Sequence, residues 1–286
     1  MTDPRFRPGA LAFAIAVVFA VAGIDNGAAQ TLNFGAGDSD QPIEIHADDG
    51  IEWQQENLLF LARGNARAIR GDVTVFGDEL RAYYREKSEG GSEIHRLDAI
   101  GNVRILSTTQ EGSGDQAIYD VDNAVLILTG SKPRFRSGGD QIVADRQIEY
   151  WEQKQMAVAR GNASATREDR TLGAETLSAY FRKDAAGKNT VFRIDAFEKV
   201  RIRTATETAT GDRGVYNVES GIATLTGSVK VERENNVLTG CRTEVNMKTN
   251  VSKMFACAED RVRGVLTPGD ARKSQPAKSP KQVKSQ

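Results

Sequence analysis

The sequence predicts an all-β chain, an elongated β-jelly-roll or solenoid of stacked antiparallel hairpins. Three observations carry that expectation. Shifting the chain by 97 residues superposes one stretch on another without a gap. Short segments alternate apolar and polar residues with a period of two, the pattern of a half-buried strand. Beyond an apolar run near the N-terminus, no segment keeps the 3.6-residue apolar period of a helix.

Composition narrows the function before any motif is read. The 286 residues are 39% hydrophobic and 27% charged, with 38 Lys+Arg against 39 Asp+Glu, so no basic footprint for a nucleic-acid backbone exists. Two histidines and two cysteines cannot build a His-rich or Cys₄ metal site, and they exclude a disulfide-dense mini-protein. No metal site and no cofactor is expected.

At the N-terminus, Arg5 and Arg7 precede an apolar run from Ala10 to Ala22, followed by small residues before Gln30. This is the pattern of a secretory signal peptide over residues 1–29, cut after Ala29. The run falls short of the roughly 20 residues a spanning helix needs; a short anchor that stays attached is the alternative. The mature chain is expected in an exported, disulfide-permissive compartment. Residues 30–41 read as a linker.

The repeat defines the body, residues 42–268. Ala62-Arg63-Gly64-Asn65-Ala66 meets Ala159-Arg160-Gly161-Asn162-Ala163, and Leu128-Thr129-Gly130-Ser131 meets Leu225-Thr226-Gly227-Ser228. The copies run from about 45 to 141 and from 142 to 238, with a terminal hairpin over 239–266. A shorter unit lies inside each copy. Gly64, Gly101, Gly130, Gly161 and Gly227 each open a similar step, with Glu198 in the remaining slot. Trp53, Tyr119, Tyr150 and Tyr216 stand 11 residues before four of these glycines. Asp48, Asp115, Asp145 and Asp212 stand 15 or 16 before the same four.

Each unit of about 30 residues reads as one rung of strands. Val103-Arg104-Ile105, Val200-Arg201-Ile202 and Val229-Lys230-Val231 alternate as strands, and polar runs such as Asp120-Val121-Asp122-Asn123 read as hairpin tips. The glycines are expected at a bend or bulge where the chain turns a corner. The recurring aspartates, sharing one repeat phase, read as turn hydrogen-bond partners rather than as a metal or glycosidase pair. Two facing sheets would bury an inward column that includes Ile51, Trp53, Leu80, Leu126 and Leu128, continued by Ile148, Tyr150, Leu177, Leu225, Val229 and Val231. A dry packed core is the plainest reading of that column.

Cys241 and Cys257 flank a candidate hairpin. With Lys248-Thr249-Asn250 at its tip, the midpoint is Thr249 and the cysteines face each other across paired strands, close to disulfide geometry. A structural disulfide is expected, with two free buried thiols as the alternative. Residues 269–286 are rich in Lys, Ser, Gln and Pro and read as a disordered basic tail. No nucleophile elbow, P-loop or dinucleotide fingerprint occurs, and His46 and His95 have no partnered nucleophile, so an enzyme is not expected.

The ordered series Gln41-Pro42-Ile43-Glu44-Ile45, Ala47-Asp48, Gly64-Asn65-Ala66, Gly114-Asp115-Gln116-Ala117-Ile118-Tyr119 and Leu128-Thr129-Gly130 resembles the LptA/OstA-like family, the periplasmic bridge of lipopolysaccharide transport. The resemblance covers roughly Gln41 to Ala165, with Ile142 to Val262 as a partial second copy. It implies a β-jelly-roll whose groove shields the acyl chains of lipid A in the periplasm. It also implies end-to-end joining with an inner-membrane anchored jelly-roll component and an outer-membrane translocon, or with further copies of itself. The second copy and the cysteine pair depart from the single-jelly-roll pattern. Within the family, the anchored component itself is the alternative; outside it, a structural β-solenoid without lipid. Strand parity and motif phase then select Ile43, Ile45, Val103, Ile105, Tyr119 and Val121 as groove lining, and repeat equivalence adds Val200, Ile202, Tyr216 and Val218.

Overall fold

The computed structural model describes residues 43–267, apart from 89, 184–188, 247, 250 and 259–260. The expected signal peptide, linker and tail lie outside the described residues. Strands β1 (Glu44–His46), β2 (Gly50–Gln54), β3 (Leu59–Arg70), β4 (Val73–Glu86), β5 (Ser92–Leu106) and β6 (Gln110–Asp120) come first. Then follow the short β7 (Val125–Thr129), β8 (Arg134–Ser137), β9 (Asp140–Val143) and β10 (Gln147–Trp151). The long strands β11 (Met156–Arg167), β12 (Arg170–Lys183), β13 (Asn189–Arg203), β14 (Glu207–Asn217), β15 (Ile222–Arg233) and β16 (Asn236–Asn246) resume, and β17 (Val251–Phe255) and β18 (Arg263–Val265) end the series.

These 18 strands form one antiparallel sheet folded along a single line. Each long strand turns once, so its two halves pair in different walls. In β3, residues 59–63 pair with β2 whereas 67–69 pair with β1. Likewise β6 pairs with β7 and β8, β11 with β10 and β9, and β16 with β17 and β18. The first wall contains β2, β7, β10 and β17; the second contains β1, β8, β9 and β18. Hairpin tips line the two free edges, and the turning points form a shared corner.

The corner explains the glycine motif. Pairing skips from Arg63 to Ala66, from Ile100 to Val103, from Arg160 to Ala163 and from Thr226 to Val229. At each skip two successive residues take positive φ: Gly64 (79°) and Asn65 (41°), Gly101 (73°) and Asn102 (48°), Gly161 (85°) and Asn162 (44°), Gly227 (76°) and Ser228 (44°). Left-handed backbone costs glycine nothing and asparagine little. The slot without glycine makes the same turn with Glu198 (63°) and Lys199 (53°). Space is a second constraint: a Cβ on Gly101 would stand 2.2 Å from Asp78 Oδ2.

The recurring aspartates fasten this corner. Asn65 Nδ2 donates to Asp48 at 2.8 Å, Asn162 Nδ2 to Asp145 at 3.3 Å, and the Ser131 backbone N–H to Asp115 at 2.7 Å. Asp78, which the motif search passed over, accepts from Asn102 at 3.0 and 3.1 Å. The last rung replaces this fastening with a covalent one. Moving Asp115 and Ser131 along the chain by 126 residues lands on Cys241 and Cys257, which form a disulfide with a Cα–Cα distance of 5.0 Å. Its register differs from a tip centred on Thr249. Arg242 pairs with Phe255 and Asn246 with Val251, so Ala256 faces Cys241 and Cys257 lies one residue on. The cause is local: the Asn246 side-chain oxygen accepts from the N–H groups of Lys248 and Thr249, which starts the turn early.

Strands β3 to β6 recur as β11 to β14 with every boundary displaced by 97 residues. The copies differ where β7 and β8 are separate but β15 runs through. Pro133, with no N–H and a restricted predecessor, stands where the second copy has Lys230.

A solenoid transmits little along its length, so the disulfide should act locally. Cys241→Ser is expected to speed amide exchange in β17 and β18 while β3 to β14 keep their protection. It should cost the terminal rung about 3 kcal/mol. Reductant should bring the unaltered protein to the same exchange pattern.

Candidate functional site

Between the walls, period-two parity sends one face of every strand inward. The resulting core holds Val103, Ile105, Tyr119, Leu126, Leu128, Ile148 and Leu177, and continues through Val200, Ile202, Tyr216, Leu225, Val229 and Val231. Val103 and Ile105 retain 1% of their surface, Tyr119 4%. Val121 and Val218 pack against the core from the first-wall lip. Of the ten residues expected to line a groove, eight therefore meet in one apolar interior: Val103, Ile105, Tyr119, Val121, Val200, Ile202, Tyr216 and Val218. Ile45, paired with Ala68 on β3, sits at the N-terminal margin. Ile43 precedes β1 and is 37% exposed, because among the described residues no strand lies beyond that edge to cover it. Trp53 stands in the phase of buried Tyr119 and Tyr216 yet is 68% exposed, for the same reason.

Parity reasoning passed over part of the lining. Val73, Leu172, Ala196 and Val245 are buried in the same core. The alternation Val73-x-Val75 and its 97-residue echo at Leu172 would have shown two of them. Leu172, Ile194, Ala196, Ile202, Tyr216 and Leu225 border a void of about 20 Å³, room for one water molecule at most. At that level the walls are in contact, and Val103, Ile105 and Leu128 in the first copy are likewise sealed at 1–2% exposure.

The lips differ in chemistry. On the first wall Tyr150 meets Phe181 edge-on, ring centroids 6.2 Å apart. The Tyr119 hydroxyl donates to Glu152 at 3.3 Å; burial first, and that carboxylate second, push its ionisation up. On the second wall Arg167 pairs with Asp140, and buried Glu207 lies opposite Arg233. Burial raises the Glu207 pKa, with Arg233 opposing, and its Oε1 has no hydrogen-bond partner. Among the described residues, no cluster of three or more His, Cys, Asp or Glu could hold a metal ion. No helix there is long and apolar enough to cross a membrane.

Two substitutions test this interior. Ile105→Ala should cost about 2–5 kcal/mol, read from the urea midpoint. Glu207 has a raised pKa when folded, so its contribution is fully favourable below its unfolded pKa and is lost as pH rises through the folded one. Glu207→Gln should therefore stabilise the protein at pH 7, with the gain shrinking to nothing in acid.

Residues 44–156 and 141–251 each match the family described as LptA/(LptD N-terminal domain) LPS transport protein. An uncharacterized protein of Rhizobium meliloti (strain 1021) is 28% identical over 109 residues, 37% of this chain. The chain spans 58% of that relative's length. Among solved structures, LptH of Pseudomonas aeruginosa, the LptA homologous periplasmic component of the conserved lipopolysaccharide transport device, aligns over 82% of this chain and 100% of its own. The identity is 12% and the TM-score 0.20. At that score the two molecules do not superpose as wholes.

Proposed function

The chain belongs to the LptA/(LptD N-terminal domain) LPS transport protein family, and on that premise we propose that it is a periplasmic lipopolysaccharide carrier. It shields lipid A acyl chains between its two walls on their way from the inner to the outer membrane. The observation that carries this reading is the continuous apolar interior, bounded by walls that share only a corner. Among the described residues every paired position joins two residues of the same wall, and each long ladder is interrupted at the corner, so the walls can part at the free edges without breaking a backbone pair.

Parting is required where the walls are packed against each other, as at Val103 and Ile105 and around the void beside Leu172. It exposes apolar side chains, and an entering acyl chain covers them again. A dozen-carbon chain released into water would cost roughly 10 kcal/mol at about 0.8 kcal/mol per CH₂. Repeated rungs of similar lining hold such a chain with similar affinity, so no deep trap forms along the path. Net movement is driven from one end, and the carrier makes and breaks no covalent bond.

Among the described residues both end rungs leave apolar side chains uncovered: Ile51 and Trp53 at one end, Val251, Val265 and Leu266 at the other. Unpaired strand edges carrying such residues suit end-on joining to other jelly-rolls, by strand addition. The partners in this reading are an inner-membrane anchored jelly-roll component, an outer-membrane translocon, and further copies of the chain. One observation favours a second reading, a structural β-solenoid without lipid: Val103 and Ile105 are as closed off as any dry core.

Photocrosslinking separates the two. Crosslinkers at Ile105 and Tyr119 should capture lipopolysaccharide in the periplasm, while those at Arg96 and Asp120, on the outer face of the first wall, should not. Equal labelling of both sets, or none at Ile105, leaves the structural solenoid.

A further inference from the structure

The outer faces of the two walls handle their charges differently. On the first wall most arginines hold carboxylates, though Arg213 lies over the Phe197 ring, 5.0 Å from its centroid. Arg81 pairs with Glu79, and Arg96 lies 2.7 Å from Asp98, Arg160 2.6 Å from Glu149, Arg193 2.6 Å from Asp195. Asp98, Glu149 and Asp195 are themselves buried beneath these guanidinium groups.

On the second wall one cross-strand row can be followed from β3 to β18. It carries Arg67, Arg104, Arg134, Arg201, Lys230 and Arg263, and no acidic residue. All six sit on alternate strands of the wall, with one slot, Ser164, left uncharged. Lys230 is paired, with Glu232 at 2.5 Å. None of the other five makes an ion pair among the described residues; Arg104 instead lies over the Phe76 ring, 5.0 Å from its centroid. The Nε of Arg134 is buried with no hydrogen-bond partner. In a chain whose formal net charge is −1, this is segregation of charge.

We infer that this row binds an anionic saccharide chain, running along the outside of the solenoid. Three constraints choose that ligand. At about 4.8 Å per strand the row extends roughly 55–60 Å. The usual twist of roughly 20° per strand winds it round the axis, so a planar bilayer meets only a short part of it. An extended acidic peptide finds no free backbone partners here, because the strands in this face are already paired on both sides. A flexible glycan can follow the winding. Its carboxylate or phosphate groups suit bidentate arginine, and its hydroxyls suit Ser164 in the uncharged slot and Ser113, Thr210 and Thr239 on the intervening strands. Asp48, Asp78, Asp115 and Asp145 border the row along the corner, bonded to Asn65, Asn102, the Ser131 N–H and Asn162. Their charge keeps an anion off the corner and on the row.

The inference rests on the carrier reading, in which the saccharide of a lipid held by its tails must travel outside. The test uses lipopolysaccharide stripped of all its acyl chains, so that it does not depend on tail capture. This probe should bind the purified protein, more weakly as salt rises from 50 to 200 mM. Arg104→Glu with Arg201→Glu should lower its affinity at least tenfold. Arg182→Glu, on a first-wall tip, should change it less than twofold. If the reversed pair fails to fold, Arg104→Gln with Arg201→Gln should still lose several-fold. Photocrosslinking at Ile105 in the double variant reports tail capture separately and should persist. Absence of binding, equal binding by the double variant, or equal binding of polyglutamate would each overturn the assignment; the last would point to an acidic protein.

Discussion

Backbone hydrogen bonding in this molecule is spent within the walls, and the rest follows from that. A strand that turns at the corner pairs with its neighbours on both sides of the turn, but the two walls offer each other side chains only. What holds them together is apolar contact between Val103, Ile105, Tyr119 and their repeats, plus the chain itself at the corner. Such an arrangement is stiff along each wall and yielding between them. Separating the walls costs exposed apolar area, a cost that any apolar guest offsets as it enters. The same surface can thus be a dry core when empty and a lipid lining when filled.

The corner had to satisfy two demands, left-handed backbone and a fastening, and the sequence meets both with short motifs. That is why the architecture was legible. Gly-Asn at 64–65, 101–102 and 161–162 and the aspartates before them are local signals, and a displacement of 97 residues carries whole strands onto one another. The inward column was legible for the same reason, since parity is a local property. Trp53 shows where this stops. Its phase matches that of Tyr119, but burial depends on whether another rung lies beyond, which no window of sequence contains. The cysteine register failed differently: the Asn246 turn shifts the pairing by one residue, and symmetry about a midpoint cannot foresee that. The charged row on the second wall became visible only when twelve registers were read together.

The disulfide and the aspartate fastenings are two solutions to one problem. Inner rungs have neighbours on both sides, and a hydrogen bond at the corner suffices. The last rung among the described residues has one neighbour there, and in it a covalent bond occupies the equivalent positions. Both ends nevertheless expose apolar side chains, so the fastening preserves a shaped edge rather than hiding it.

The claim on which all this depends is that the walls separate to admit a guest while each wall stays intact. Nitroxide labels at Thr108, on a second-wall tip, and at Asn123, on a first-wall tip, straddle the opening. Their separation, measured by electron–electron double resonance with and without lipopolysaccharide, is the direct test. The account predicts a longer distance when the lipid is bound, with the strand amides still protected from exchange. An unchanged distance in a lipid-saturated sample, or loss of protection along the strands, would contradict it.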